Sequence, residues 1–511
     1  MKDISNGLTV TGRDKMSSIM KPKYLELLPA LVLFTFAIVL AFLAGEYGFW
    51  RHDAWGYTKS EFLEFSENAR WLAPIFHSAT KDIPHYLAWL LCMAMAWGYG
   101  YVFMRRFLAG SRLENKALLY SVPFVVIFQP GLMEQLGWPI HTLAAIFLLF
   151  LFALLSRNKA SLLSSGVATV LVFAILQTFS FLAVLLAVPG YNTLLGMKKL
   201  KIVMTFFGIL VFWGASILVS WLVSKLAQYV YFGSLPGLPE WRSAHPVKSP
   251  LDLHNNVVNN LVDFVEHVTF IYSPWIFLAV VSIFVALGVA LFVKRKLREL
   301  VIAASILALG VCFLLSVYVF TAPMGTIIAD RTTFTFGVAF FLAAIAFYVA
   351  MAALDLNEKW VFPASIAFVL LVSLQPMYLS YVNVKWYTAF SSDFVNALQE
   401  VEEGSPRDLK GVVVEISEYA EKIEWDRWPI DYSHVRPDKY KFMESLNSPG
   451  RLGRAFYELG YDEVHFCGGK EPGDPAKCKL VEGVSFERCA RSNPRICSGG
   501  ISDNRYWLLR F

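Results

Sequence analysis

The stretch LELLPALVLFTFAIVLAFLA, residues 25–44, decides the fold. It holds one charge, Glu26, and its length matches the roughly 20 apolar residues that carry a helix across a bilayer. It exceeds the apolar core of a cleavable signal peptide, which runs to about 7–15 residues. The arm before it carries Lys2, Arg13, Lys15, Lys21 and Lys23. Ten further apolar runs follow, near 85–104, 117–133, 140–156, 161–176, 179–195, 202–224, 275–293, 300–320, 334–354 and 361–381. The fifth and sixth of the eleven are short, with a bend expected at Gln177.

The composition agrees. Of 511 residues, 56% are hydrophobic and 17% charged, with a mean hydropathy of +0.50. An ordinary soluble domain is about 25% charged. These values exclude a disordered or collagen-like chain and argue against an all-soluble enzyme. The net charge of +5 is no sign of a nucleic-acid partner, because cations belong on the cytoplasmic side of such proteins.

Cation placement predicts the topology. With the N-terminus in the cytoplasm, the inner segments hold 19 Lys and Arg, including Arg105, Arg106, Arg112, Lys198, Lys199, Lys294, Arg295 and Lys296. The longer outer loops hold eight before residue 382. An odd number of spans then puts the tail outside. The expected architecture is an α-helical polytopic membrane protein of about eleven transmembrane helices with a small C-terminal extracytoplasmic α/β domain. The membrane domain is 1–384, with outer loops 46–84 and 225–274, and the tail is 385–511.

Cys92 and Cys312 fall within apolar runs, whereas Cys467, Cys478, Cys489 and Cys497 all lie in the tail. An even number there suits two disulfides in an oxidising compartment. Three pairings are open. A zinc site is the rival reading, without the tight C-x2-4-C pairs that zinc modules show. In the tail, Gly411–Ile416, Asp462–Phe466 and Tyr506–Phe511 read as strands. Phe390–Val401 and Gly453–Leu459 read as helices. In the second outer loop, Asp252–Ile271 has helical spacing of Leu253, Val257, Leu261, Phe264, Val265 and Val268. Such a segment either lies along the membrane surface or packs on the protein.

The apolar runs are almost free of ionisable residues, unlike those of ion-coupled transporters. No P-loop, GxGxxG, HExxH or GxSxG pattern stands in a suitable context, against an ATP-driven pump or a zinc protease. Carboxylates gather instead at the outer ends of the runs. The densest group is His52-Asp53-Ala54-Trp55-Gly56-Tyr57, then Glu61, Glu64 and Glu67, then Arg70-Trp71. Ser60 is positioned to cap a helix from Glu61 to about His77, on which Glu67 and Arg70 share a face. A second group is the hairpin Gln129–Pro139 with Glu134 as its only charge, Trp138 beside it and His141 beyond. A third is Asp330-Arg331, whose guanidinium suits bidentate contact with a phosphate. A base for an acceptor hydroxyl and cations for a leaving phosphate are the parts of a glycosyl-transfer site.

HDAWGY at 52–57, ENARWLAPIF at 67–76, ADRTTF at 329–334 and YLSYVNVKWYTAFSSDF at 378–394 carry a resemblance. An Asp just after the first span, then a long loop closing on a "GR-P-L" type stretch, resembles the phage-type O-antigen glucosyltransferases of the polytopic GT-C class. The resemblance covers roughly residues 25–400. The chain differs in His52, where a second Asp is common, in Ala69 before Arg70, and in its larger tail.

The resemblance implies transfer of a hexose, glucose by analogy, from a polyprenyl-phosphate carrier to a cell-surface glycan such as O-antigen. It implies the outer face of a bacterial cytoplasmic membrane and inversion at the anomeric carbon. Asp53 would be the base and Glu67 the next catalytic carboxylate, with His52 at the substrate. Arg70 and Arg331 would hold the carrier phosphate, Glu134 a sugar hydroxyl, and Trp55, Tyr57 and Trp138 the sugar rings. Partners would be the bilayer, the glycan acceptor, and a synthase and flippase that supply the carrier. No nucleotide is needed, and a divalent metal is left open. The competing readings are a flippase or transporter of lipid-linked sugars and a non-catalytic assembly protein.

Overall fold

The computed structural model describes residues 27–46, 65, 69–80, 83–136, 139–235, 247–325, 330–402, 409, 411–415, 456, 460–461, 463–467, 474–492, 496–502 and 506–510. The chain runs through α1 (Leu28–Glu46), α2 (Ala73–Thr80), α3 (His85–Leu108), α4 (Lys116–Ser121), α5 (Phe124–Ile127), α6 (Pro130–Leu136) and α7 (Pro139–Leu155). It continues with α8 (Leu162–Phe173), a 3-10 segment (Gln177–Ala187), α9 (Tyr191–Leu195), α10 (Lys199–Phe232) and α11 (Pro250–Val293). Then come α12 (Leu297–Thr321), 3-10 turns at Ala322–Met324 and Asp330–Thr333, α13 (Phe334–Ala353) and α14 (Glu358–Val401).

All eleven apolar runs fall on helical structure. Among the described residues, six helices are long and apolar enough to cross a membrane: Tyr86–Leu108, Lys199–Phe232, Pro250–Val293, Leu297–Thr321, Phe334–Ala353 and Trp360–Val382. Five shorter apolar helices occupy the other runs. Two expectations need correction. The run 117–133 is not one helix, because Pro123 and Pro130 break it into α4, α5 and the start of α6. The runs 161–176 and 179–195 are too short to span singly. At about 1.5 Å per residue α8 reaches roughly 18 Å, and the 3-10 segment at about 2.0 Å reaches roughly 22 Å, against a core of about 30 Å.

Those two short pieces form a closed hairpin. Ser161 caps α8 through its hydroxyl, and its N–H donates to the Leu186 carbonyl at 3.0 Å. A 3-10 segment leaves carbonyls unsatisfied, and here the buried Arg106 collects them. Its guanidinium donates to Leu185 O at 2.6 Å, Leu186 O at 3.0 Å and Val188 O at 3.3 Å. The Tyr99 hydroxyl adds a bond to the Leu182 carbonyl. The bend expected at Gln177 is where α8 gives way to the 3-10 segment.

The cation-rich connections meet at one end of the bundle. Asp355 lies 2.8 Å from Lys296 and 3.9 Å from Arg112, while Arg298 donates to Leu195 O and Lys294 to Leu354 O. The last bond satisfies a carbonyl just past the C-terminus of α13, where a cation is favoured. At the opposite end, α10 reaches Phe65 through Gln228, and the first half of α11 reaches Ala322 through Asn256.

The tail carries β1 (Gly411–Glu415), β2 (Glu463–Cys467), α15 (Pro475–Cys478), β3 (Arg488–Cys489), β4 (Cys497–Ser502) and β5 (Tyr506–Arg510). The sheet order is β2-β1-β5-β4-β3, parallel from β2 to β5 and antiparallel beyond. The three expected strands are present. β3 and β4 were not expected, and the glycine-rich CSGGIS of β4 conceals its strand behind a bulge with Gly500 at φ +88. One sheet face packs Val412, Val414 and Trp507 on Ala397, Leu398 and Val401 of α14. The expected helix 390–401 is thus the end of α14, while of 453–459 only Phe456 lies within the described residues. Disulfides join Cys467 to Cys478 and Cys489 to Cys497, which leaves no tail thiolate for zinc. Cys92 and Cys312 are free, within the apolar runs.

Candidate functional site

The site expected at the outer mouth is described in part. His52, Asp53, Trp55, Tyr57, Glu67 and Trp138 lie outside the described residues, as do Ser60, Glu61 and Glu64. Glu134 lies on α6 and Arg331 on the 3-10 turn Asp330–Thr333. These two elements pack against each other, so two groups separated by almost 200 residues of sequence share one region of the fold. Arg70 is described, and it is buried at 6% exposure.

The local backbone explains how Arg70 comes to be buried. A single helical helix from Glu61 to His77 was expected, and the structure breaks it. The Ala69 N–H donates to Phe65 O, and Ala69 itself takes φ +58. That left-handed conformation ends a helical turn and normally belongs to glycine. The resembled pattern carries Gly at this place, immediately before the Arg. Helix restarts only at Ala73, so Arg70 and Trp71 occupy a turn between two helical pieces. The turn is held from two sides. Leu72 N–H donates to Ala174 O at 3.1 Å, at the tip of the short α8 hairpin. Gln228 Nε2 of α10 donates to Phe65 O at 3.3 Å. Because the hairpin is shorter than its neighbours, the segment 69–72 rests on its tip, with Arg70 buried there.

Beside this turn lies an apolar cleft of about 530 Å³, lined by Phe65, Trp71, Pro74, Ile75, Ala227, Val230 and Tyr231. Its walls are the loop and the last turns of α10. A hydrocarbon chain fits such a lining, and Arg70 stands next to it in sequence. Deeper in, α2 packs on α7 and brings His77 within 6.4 Å of His141, centroid to centroid, with exposures of 2% and 4%. His141 was noted in sequence, but the pairing with His77 was not.

A second polar knot sets the distance between α6 and the rest of the mouth. Gln129 precedes α6, and its Nε2 donates to Val125 O at 3.1 Å. The Tyr272 hydroxyl donates to Gln129 Oε1 at 3.0 Å. Gln129 also lies against Gly337 of α13, where an added Cβ would collide with its Cγ. Sequence reading gave Gln129 only as part of a turn and did not single out Tyr272. Its one visible signal was a buried glutamine within an apolar segment.

Among the described residues no three His, Cys, Asp or Glu side chains converge as a metal site. Comparison with protein families, with characterised proteins and with solved structures finds no match.

Proposed function

We propose that this chain is a membrane glycosyltransferase that moves a hexose from a polyprenyl-phosphate carrier to a cell-surface glycan. The observation that carries the reading is a cleft lined almost wholly by apolar side chains, one of which, Trp71, directly follows the buried Arg70 in sequence. A guanidinium on the segment that walls a hydrocarbon-lined groove suits a ligand that is a phosphate at one end and an isoprenoid at the other. The packing of the Glu134 helix on the Arg331 turn supports the same reading by gathering a carboxylate-bearing and a cation-bearing segment.

In this reaction the Asp53 carboxylate takes the proton of the acceptor hydroxyl as its oxygen attacks the anomeric carbon. The bond from that carbon to the phosphate oxygen breaks, and its electron pair leaves on the phosphate. Polyprenyl phosphate departs, and one displacement inverts the centre. Glu67 is the next carboxylate able to act as base. His52 and Glu134 hold sugar hydroxyls, and Trp55, Tyr57 and Trp138 present faces to sugar rings. Arg70 and Arg331 stabilise the phosphate that leaves. The finer assignment has a bacterial inner membrane that the α8 hairpin enters without crossing, the N-terminus inside, and the tail and its disulfides in the oxidising compartment. The acceptor is O-antigen-like and the sugar glucose, with a separate synthase and flippase supplying the carrier.

The test is carrier turnover by purified protein in lipid, supplied with polyprenyl-phosphate hexoses and lipid-linked glycan. Release of polyprenyl phosphate by wild type but not by Asp53→Asn is the expected result. Equal release by both moves the base to Glu67 or Glu134. No release with any donor, from folded protein, overturns the transferase and favours a flippase or an assembly protein.

A further inference from the structure

The first half of α11, residues 250–272, has an unusual division of its surface. Ser249 caps it through its hydroxyl on the Asp252 N–H, and Pro250 opens it. It ends at Ser273, which takes φ +56 and ψ 152, ahead of Pro274, which disfavours the helical conformation for the residue before it. The apolar span to Val293 follows the kink.

Near the kink this helix is tied to the protein by Phe264, Val268, Phe270 and Ile271, and along its earlier turns by polar side chains. Asn256 Nδ2 donates to Ala322 O at 3.2 Å, and Asn260 Nδ2 donates to Tyr318 O at 2.7 Å. His267 Nδ1 pairs with the Tyr318 hydroxyl at 2.9 Å. All three side chains are buried. At about 3.6 residues per turn they share one face. Five other apolar residues of the same turns are exposed: Val257, Val258, Leu261, Val262 and Val265, with Leu261 at 50% and Val265 at 56%. Over residues 257–265 they form one arc next to the protein-facing one, with His254 on the same side a turn earlier. A third arc is polar, with Asn255 and Asn259 exposed. A water-soluble amphipathic helix would bury its apolar arc and expose its polar ones. Here the apolar arc is left outside.

We propose that residues 250–272 form an interfacial helix whose Val258–Leu261–Val265 arc is immersed in the acyl-chain edge of the bilayer, with Asn255 and Asn259 at the water. Three arcs then meet three surroundings: protein, hydrocarbon and water. Beyond the kink, Trp275 and Leu278 are again exposed and open the face of the following span, which is a lipid-facing surface in any membrane protein of this kind. The segment contains no Lys or Arg, so anionic headgroups do not hold it. Apolar area and the asparagine contacts do. This inference is independent of the transferase reading.

The experiment places one nitroxide label at a time at 255, 258, 259, 261 and 265 of the full chain. The background carries Cys92→Ala and Cys312→Ala and keeps the tail disulfides. The protein sits in phosphatidylethanolamine and phosphatidylglycerol vesicles, and collisions with oxygen and with a water-soluble nickel chelate are compared. Oxygen should exceed nickel by about threefold at 258, 261 and 265, with the reverse at 255 and 259. Nickel access at 258 and 265 equal to that at 259 overturns the proposal in favour of a solvated helix. Low access of both reagents at 258 and 265 overturns it in favour of a second copy of the chain. Val258→Trp gives a separate reading without the cysteine changes, since lipids brominated near the headgroup end of the acyl chain should quench it.

Discussion

The hydroxyl of Tyr272 donates to Oε1 of Gln129 at 3.0 Å, joining residues 143 apart in sequence. Tyr272 is the last residue before the kink at Ser273, and Gln129 is the last before α6. One bond therefore fixes the interfacial half of α11 against the helix that carries Glu134. Tyr272→Phe leaves the Gln129 oxygen buried without this donor. It should cost about 1 kcal/mol, the usual scale for a hydrogen bond inside a membrane protein. Gly337→Ala should cost more, because its Cβ must displace Gln129 Cγ. Denaturant unfolding in mixed micelles measures both.

Ala69 should accept glycine with gain. Its φ of +58 strains any residue with a Cβ. Ala69→Gly should therefore stabilise the turn that holds Arg70, or leave it unchanged, with an upper bound of about 1 kcal/mol. Ala69→Val should weaken it. Thermal unfolding in detergent separates these outcomes, and equal loss in both variants would exclude the strain argument.

The cleft beside Arg70 offers a test by chain length. Ala227 lines it from α10, and Ala227→Phe should fill part of the space of about 530 Å³. If isoprenoid occupies the cleft, KM should rise several-fold for long polyprenyl-phosphate donors and little for short ones. Arg70→Lys should raise KM for both, because it keeps a charge but loses the planar fork. Steady-state kinetics with donors of two lengths distinguish the variants.

The tail should be more stable at neutral than at mildly acid pH. Burial, and then the Lys477 ammonium, hold His465 below the usual histidine range. The unfolded chain then binds a proton before the folded one does. This contribution is complete above the unfolded value of about 6.5 and is lost as pH falls through the folded value. His465→Gln should flatten the difference in protease resistance of the tail between pH 7.5 and pH 5. A pH dependence unchanged in that variant would assign it to another group.

Much of the membrane part was legible because bilayer crossing demands long apolar runs, and all eleven runs lie on helical structure. What the runs did not reveal is how far each reaches. Pro123 and Pro130 are visible in sequence, yet an apolar count passes over them. The α8 hairpin depends on Arg106 reaching carbonyls some 80 residues away, which no local pattern encodes. The helix expected through Ala69 failed because alanine is a strong helix former, and tertiary hydrogen bonds at Leu72 and Phe65 overrode that preference. The helix in residues 252–271 was legible from its spacing, but its facing was not. Apolar spacing alone suggests a face turned inward, and only the asparagine bonds show which arc meets the protein. In the tail, β1, β2 and β5 stood out as apolar strands, whereas β4 lacked the side chains that mark one.

The last helix of the bundle does not stop at its span. α14 continues from Glu358 to Val401, and its final turns supply Ala397, Leu398 and Val401 to the core of the sheet domain. The domain is therefore keyed to the membrane part as a gear is keyed to a shaft. One residue inserted after Val384 would turn the sheet by about 100°, and seven would restore its heading while lifting it about 10 Å. Whatever the sheet addresses, its bearing is set by helical phase, and insertions in this stretch should be tolerated or rejected with the period of the helix.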